Sequence, residues 1–146
     1  AAWLVERGLR TLAVRMERHN ANGLEVARWA EAQDEFAAVH YPGLPGHPEH
    51  GYAREALNGF GGMVGLQLKG GVRAAERFLK NLKMIARAPS LAGVESLISE
   101  PRLTSHKGLT AEERTRIGIP DGFLRLSCGI EDAADIIGDL EQALGR

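Results

Sequence analysis

A short run of alternating residues lies in the last third of the chain, directly after a turn signal at Pro120-Asp121-Gly122. Successive side chains of an extended strand point to opposite faces. One face of this run is apolar and carries Leu124, Leu126 and Cys128. The other face carries Phe123, Arg125 and Ser127. The pattern therefore predicts a strand with a core face, and it places Arg125 on the opposite face of a rigid element.

The first thirty residues show helical periodicity instead. From Trp3 onward, apolar residues at Val5, Leu9, Leu12 and Met16 recur at helical steps. After a polar turn at His19-Asn20, the same face continues through Leu24, Ala27 and Ala30. The pattern predicts one helix of about thirty residues with one apolar face, part of which we expect to be uncovered. This helix begins without a capping signal, so we expect that the chain has lost an upstream part.

The rest of the chain predicts shorter elements. In order, these are a strand at 35–41, a loop at 42–48, a helix at 52–57, a strand at 63–69, a helix from 70, strands at 84–88 and 94–98, a helix capped by Thr110, the strand described above, and a helix from 131. Neither hairpin signals nor strict βαβ alternation is found. The order favours an α+β fold with a small, mainly antiparallel or mixed sheet and with helices packed on one face. Arg125 then looks out of the other face.

Composition narrows the classes of function. The chain has 146 residues, which predicts a single domain over 1–146, and its net charge is -1. This charge predicts no nucleic-acid partner and no anionic-membrane partner. No apolar run reaches the roughly 20 residues that a membrane span needs. Cys128 is the only cysteine, which rules out an intramolecular disulfide and predicts a cytoplasmic, reducing location.

Two candidate sites follow from the residues alone. Arg125 is either a surface charge or an anchor for an anion, and the residues alone favour the surface charge because exposed strand arginines are common. His47 and His50 are either a metal-binding pair or surface histidines of a loop. No cysteine or acidic cluster joins them at ligand spacing, so we expect no metal site.

Five stretches follow in order along nearly the whole chain: 7–16, 39–48, 59–63, 90–97 and 118–131. Together they resemble the C-terminal domain of the pyridoxal-phosphate (PLP) dependent enzymes of cysteine and methionine metabolism. This family includes cystathionine γ-synthase, the cystathionine lyases, methionine γ-lyase and the homoserine-ester sulfhydrylases. The resemblance implies the fold of the C-terminal domain of fold-type I PLP enzymes.

The resemblance also implies three substrate-binding residues. Arg125 matches the arginine of the family's Arg-Leu-Ser motif, which binds the α-carboxylate of the substrate, and this reverses the preference for a surface charge. Ser90 matches a serine beside the same carboxylate, and Ser105 matches a serine or threonine near the substrate entrance. The sequence departs from the family at Ala92, where a glycine is usual. Pro89 occupies a position where some lyases have an acid, so recognition through an acid at this position is not expected.

The resemblance implies a PLP-dependent lyase or transferase for the full-length protein, acting by elimination or replacement at the β or γ carbon of a homoserine ester, cystathionine or a related amino acid. Family members hold PLP on a lysine of a larger N-terminal domain, where the cofactor is the electron sink. We expect no catalytic residue and no cofactor-binding residue in this chain, because none of its four lysines lies in that context. We therefore expect the chain alone to be inactive, to bind its own N-terminal domain in the complete enzyme, and to form a homo-oligomer. The alternative is a free-standing small-molecule-binding or oligomerisation module without catalysis.

Overall fold

The computed structural model describes residues 2–145 and contains six α-helices and five strands within them. The helices are α1 (Ala2–Leu9), α2 (Leu12–Glu31), α3 (His50–Ala56), α4 (Gly71–Asn81), α5 (Ala111–Arg116) and α6 (Ala133–Ala143). The strands are β1 (Phe36–His40), β2 (Met63–Leu68), β3 (Ala86–Arg87), β4 (Leu97–Ser99) and β5 (Phe123–Ser127). A 3-10 turn at Pro101–Leu103 follows β4.

The five strands form one mixed sheet in the order β1-β2-β5-β4-β3. All neighbouring pairs are antiparallel except β3 and β4, which are parallel. The strand predicted at 94–98 is shorter and later than expected, since β4 spans only Leu97–Ser99. The strand containing Arg125 lies at the centre of the sheet, which gives this residue a rigid support.

Alternation along the two central strands separates a core face from an outer face. The fully buried side chains of this core face are Val64, Leu66, Leu124 and Leu126. Apolar residues of α2, α4 and α6 pack on them in one cluster, including Val26, Phe78, Ile136 and Leu140. These contacts confirm the predicted α+β fold with helices packed on one face of the sheet. Each of these helices buries its apolar side against that face.

The outer face carries Arg125 between two register partners, Gly65 on β2 and Ser99 on β4. Gly65 leaves room for an aromatic ring: a Cβ at this position would lie 2.7 Å from Cζ of Phe123. The Phe123 ring also lies 5.6 Å from the ring of His40 on β1. The outer face is therefore closed by aromatic packing on one side of Arg125 and is bordered by a small serine on the other.

The prediction of one long N-terminal helix is wrong. The structure has two helices, α1 and α2, separated at Arg10 and Thr11. The polar turn expected at His19-Asn20 is not a turn, because both residues lie within α2. The apolar face is exposed over its first half, because α1 buries none of its residues and four apolar positions are exposed: Val5, Leu9, Leu12 and Met16. Periodicity correctly reported an apolar stripe, but no described element covers its first half.

No helix within the described residues is long and apolar enough to cross a membrane.

Candidate functional site

Arg125 extends from the central strand across the neighbouring strand. Its Nη2 atom donates a hydrogen bond to the backbone oxygen of Pro89 at 2.9 Å. Pro89 follows β3, and β4 lies between β5 and β3 in the sheet. The arginine side chain therefore passes over β4 near Ser99, its register partner. This path fixes the direction of the guanidinium group at the edge of the outer face.

The electrostatic surroundings distinguish Arg125 from the other partly buried arginines that form ion pairs. Arg102 pairs with Glu100 at 2.8 Å and with Glu76 at 3.0 Å, and Arg114 pairs with Asp121 at 2.7 Å. No carboxylate within residues 2–145 forms an ion pair with Arg125. A guanidinium group has five N–H donors. Arg125 therefore has no carboxylate partner within residues 2–145, and some of its N–H donors are available to an anion.

The segment that contains Pro89 is tied to the strand and the loop after it by successive hydrogen bonds. Residues 89, 92, 94 and 96 contact residues 125, 127, 130 and 131 in the same order. Besides the Arg125 contact, these bonds are from Ala92 N to Ser127 Oγ (3.0 Å), from Ile130 N to Val94 O (2.9 Å), and from Ser96 Oγ to Glu131 Oε2 (2.9 Å). The shape of this segment is therefore set by the Arg125 strand.

Ser90 and Ser105 lie in different surroundings. Ser90 is exposed and directly follows Pro89, whose backbone oxygen accepts the hydrogen bond from Arg125. Ser105 is exposed in the loop after the 3-10 turn, and its hydroxyl is 2.9 Å from Nδ1 of His106. Among the described residues, no hydrogen bond joins Ser105 to Arg125 or to Ser90. Arg125 thus contacts the residue directly before Ser90, whereas Ser105 contacts His106.

A small apolar pocket lies on the same side of the sheet, next to Ser127. It has a volume of about 160 Å³ and is lined by residues that include Met16, Met63, Leu91 and Ala92. His19 also lines it and is buried, and its Nδ1 atom is 2.7 Å from the backbone oxygen of Cys128. The Nε2 atom of His19 is buried without a hydrogen-bond partner in the described residues. His19 therefore ties α2 to the end of β5, a role that its assignment to a turn had missed.

Other reactive side chains have structural surroundings. Cys128 is fully buried, and burial together with the nearby Glu131 carboxylate raises the pKa of its thiol to about 12, which keeps it protonated. His50 Nδ1 lies 2.8 Å from the Pro42 oxygen, and His47 Nδ1 accepts a bond from the Glu49 amide. Within residues 2–145, no three side chains of the metal-binding types form a cluster.

The lysines of this chain do not fit the attachment of an aldehyde cofactor. Lysines that form Schiff bases are activated by desolvation in an apolar pocket or by a neighbouring cation. All four lysines here are exposed: Lys69, Lys80, Lys83 and Lys107. The described residues therefore include a cation without a carboxylate partner, Arg125, but no lysine that is shielded from solvent.

Sequence reasoning missed two members of the site. The backbone oxygen of Pro89 carries no signal in a sequence, because its role depends on a contact that spans 36 positions. Ser127 did carry a signal, since it shares the outer face with Arg125 at a spacing of two. The alternation placed the hydroxyl correctly, but only the structure shows that it contacts Ala92.

Comparison with known proteins gives consistent matches over the whole chain. The family model described as Cys/Met metabolism PLP-dependent enzyme matches residues 1–145. Cystathionine beta-lyase of Coxiella burnetii is 44% identical over 143 residues, which are 98% of this chain and 37% of that protein. Cystathionine gamma-lyase of Dictyostelium discoideum is 44% identical over 144 residues, which are 99% of this chain and 37% of that protein.

A solved structure is similar to the same extent. The cystathione gamma lyase of Micromonospora echinospora matches with a TM-score of 0.92 and 40% sequence identity, over 99% of this chain and 38% of that one. The chain thus spans little more than a third of the length of the relatives that it matches.

Proposed function

Because this chain belongs to the family of Cys/Met metabolism PLP-dependent enzymes, we propose that it is the substrate-carboxylate-binding part of a longer enzyme. The whole protein would catalyse elimination or replacement at the β or γ carbon of an amino acid. Cystathionine and homoserine esters are the proposed substrate class. The names of the similar lyases support cystathionine.

One observation carries the proposal: Arg125 is a partly buried cation on a central strand, with one backbone acceptor and no carboxylate partner in the described residues. Two parallel N–H donors of a guanidinium group match the two oxygens of a carboxylate. Arg102 and Arg114 are also partly buried, and each of them pairs with a carboxylate of this chain. The proposed counterion of Arg125 is the α-carboxylate of the substrate.

The serines have unequal support. Ser90 is proposed to donate to the same carboxylate, because its neighbour Pro89 contacts Arg125. Ser105 is proposed to lie at the substrate entrance, and this rests on the resemblance alone. No step of the reaction is assigned to a lysine of this chain, since all four are exposed.

The proposal includes a partner for the first helix. The apolar side chains of α1 are more than half exposed, with Trp3 at 66% and Leu4 at 63%. Large exposed apolar patches mark interaction surfaces. The remaining part of the longer protein would cover this face, and we expect the complete enzyme to be a cytoplasmic homo-oligomer.

Replacement of Arg125 in the full-length protein tests the proposal. Arg125→Lys keeps the charge but loses the fork, so it is expected to lower kcat/KM about ten- to a hundredfold, which corresponds to one charge-assisted hydrogen bond. Arg125→Ala is expected to lower it further, with an unchanged cofactor absorption spectrum. Arg73→Lys, an exposed arginine on α4, is the matched control. Unchanged kcat/KM in Arg125→Ala would make Arg125 a surface charge and would remove it from the proposed substrate site.

A further inference from the structure

The Pro89–Ala92 segment is held against β5 at both ends by side chains of a single strand face. At one end, Arg125 donates to the Pro89 oxygen at 2.9 Å. At the other end, Ser127 accepts from the Ala92 amide at 3.0 Å. Because Arg125 and Ser127 are two positions apart on one strand, both side chains leave the same face. Ser90 lies between the two attachment points.

The segment contains an unfavourable backbone conformation at Ala92. Ala92 has a backbone φ of 60°, and it is the only residue other than glycine with positive φ among residues 2–145. This conformation costs an alanine about 1–2 kcal/mol. The hydrogen bond from its amide to Ser127 favours this conformation, and Ser127 is 3% exposed, so water does not compete for its hydroxyl.

We propose that Ser127 is a positioning residue: by holding Ala92, it fixes the Pro89–Ala92 segment so that Ser90 and Arg125 converge on one carboxylate. The inference rests on the proposed function of Arg125 and extends it to the third residue of the Arg-Leu-Ser motif. Ser127 acts through the segment rather than by contact with the substrate. Without this hydrogen bond, Ala92 relaxes from positive φ and the segment stays attached only at Pro89. Ser90 is then no longer held in a fixed position relative to Arg125.

The structure supplies a matched control for this idea. Ser99 lies on the adjacent strand as the register partner of Arg125 and is 6% exposed. Its hydroxyl is buried without a hydrogen-bond partner in the described part of the chain. Ser99→Ala and Ser127→Ala therefore remove the same atom from two buried serines of one face, and only Ser127→Ala breaks a bond to the segment.

Kinetics of the full-length protein test the proposed role. Ser127→Ala is expected to raise KM about three- to tenfold, as for the loss of one neutral hydrogen bond, with kcat within about twofold. Ser127→Thr keeps the hydroxyl and is expected to keep KM. Ser99→Ala is expected to leave both constants unchanged. An unchanged KM in Ser127→Ala, or an equal rise in Ser99→Ala, would overturn the inference.

Amide hydrogen exchange separates this inference from the proposed function, because it needs no activity. Ser127→Ala is expected to speed exchange at the Ala92 amide and not at the Ile130 amide, which donates to Val94 at 2.9 Å. Exchange at Ala92 that does not respond would overturn the positioning role even if Arg125→Ala abolishes activity. Faster exchange at Ala92 with no kinetic effect of Arg125→Ala would instead contradict the carboxylate site.

Discussion

The carboxylate of Asp139 on α6 accepts a hydrogen bond of 2.8 Å from the backbone amide of Ile85, 54 positions earlier in the chain. The same carboxylate accepts from the amides of Lys83 and Met84 at 2.9 and 3.0 Å. Gln142 adds a side-chain donor at 3.0 Å. Asp139 is 7% exposed, so this one side chain satisfies the backbone between α4 and β3 and joins it to the last helix.

Asp139→Asn is expected to lower the free energy of unfolding by about 2–3 kcal/mol. The side-chain amide of Asn has only one acceptor oxygen, whereas both oxygens of the Asp139 carboxylate accept backbone N–H groups. The NH2 group of Asn would face at least one of these N–H donors and leave it buried without an acceptor. Glu141→Gln, an exposed change on the same helix, is the control. Urea unfolding followed by circular dichroism measures both. A loss below about 0.5 kcal/mol for Asp139→Asn would show that the contact is not needed.

The same residue predicts acid sensitivity. Burial raises the pKa of Asp139, but hydrogen bonds from the amides of Ile85, Lys83 and Met84 and from Gln142 outweigh burial and hold the pKa below its usual range. The folded state thus binds this proton less tightly than the unfolded state. The stabilisation is present above the unfolded pKa of about 3.9 and is lost as pH falls through the lower folded pKa. Unfolding measured from pH 6 to pH 3 is expected to show a shallower loss in Asp139→Asn.

Ala92→Gly is expected to stabilise the chain by about 0.5–1 kcal/mol. The substitution removes the cost of positive φ, about 1–2 kcal/mol, and adds unfolded-state entropy of about 0.4–1 kcal/mol. Ala88→Gly is the control. Ala88 does not have positive φ, so glycine at this position is expected to lower the stability of the chain. Thermal unfolding compares the two variants. Destabilisation by Ala92→Gly would mean that the conformation of Ala92 carries little cost.

Cys128 is expected to resist alkylation in the native state. Its thiol is fully buried and its pKa is raised to about 12, so neither access nor thiolate is available near pH 8. Mass spectrometry after iodoacetamide treatment should show slow native labelling and rapid labelling in urea. Equally rapid labelling in both conditions would show that the end of β5 opens easily.

The 146-residue chain alone is expected not to form a stable aldimine with PLP. Lysines that form Schiff bases are activated in an apolar pocket or by a neighbouring cation, and the four lysines of this chain are exposed to solvent. Absorption spectroscopy after mixing, followed by borohydride trapping and peptide mapping, checks this. A stoichiometric adduct at one lysine would contradict the expectation.

The sequence alone determined features whose causes are local. Alternation in 123–128 gave the central strand and its core face, because a strand repeats every two residues. The capping box at Thr110 and Glu113 is present as the spacing predicts, since its bonds join residues three apart. The prediction that Arg125 lies on the face opposite the core was correct for the same reason.

Only the tertiary structure decided which surfaces and groups meet. Periodicity identified an apolar stripe along the first helix, but it cannot say whether an element covers it, and Val5 and Leu9 are 63% and 59% exposed. The contacts of Arg125 with Pro89, and of Ser127 with Ala92, span 36 and 35 positions. A pattern of neighbouring residues shows which side of a helix or strand is apolar. Contacts across the fold depend on how sheet order and loop shape bring distant residues together, and no local pattern encodes them.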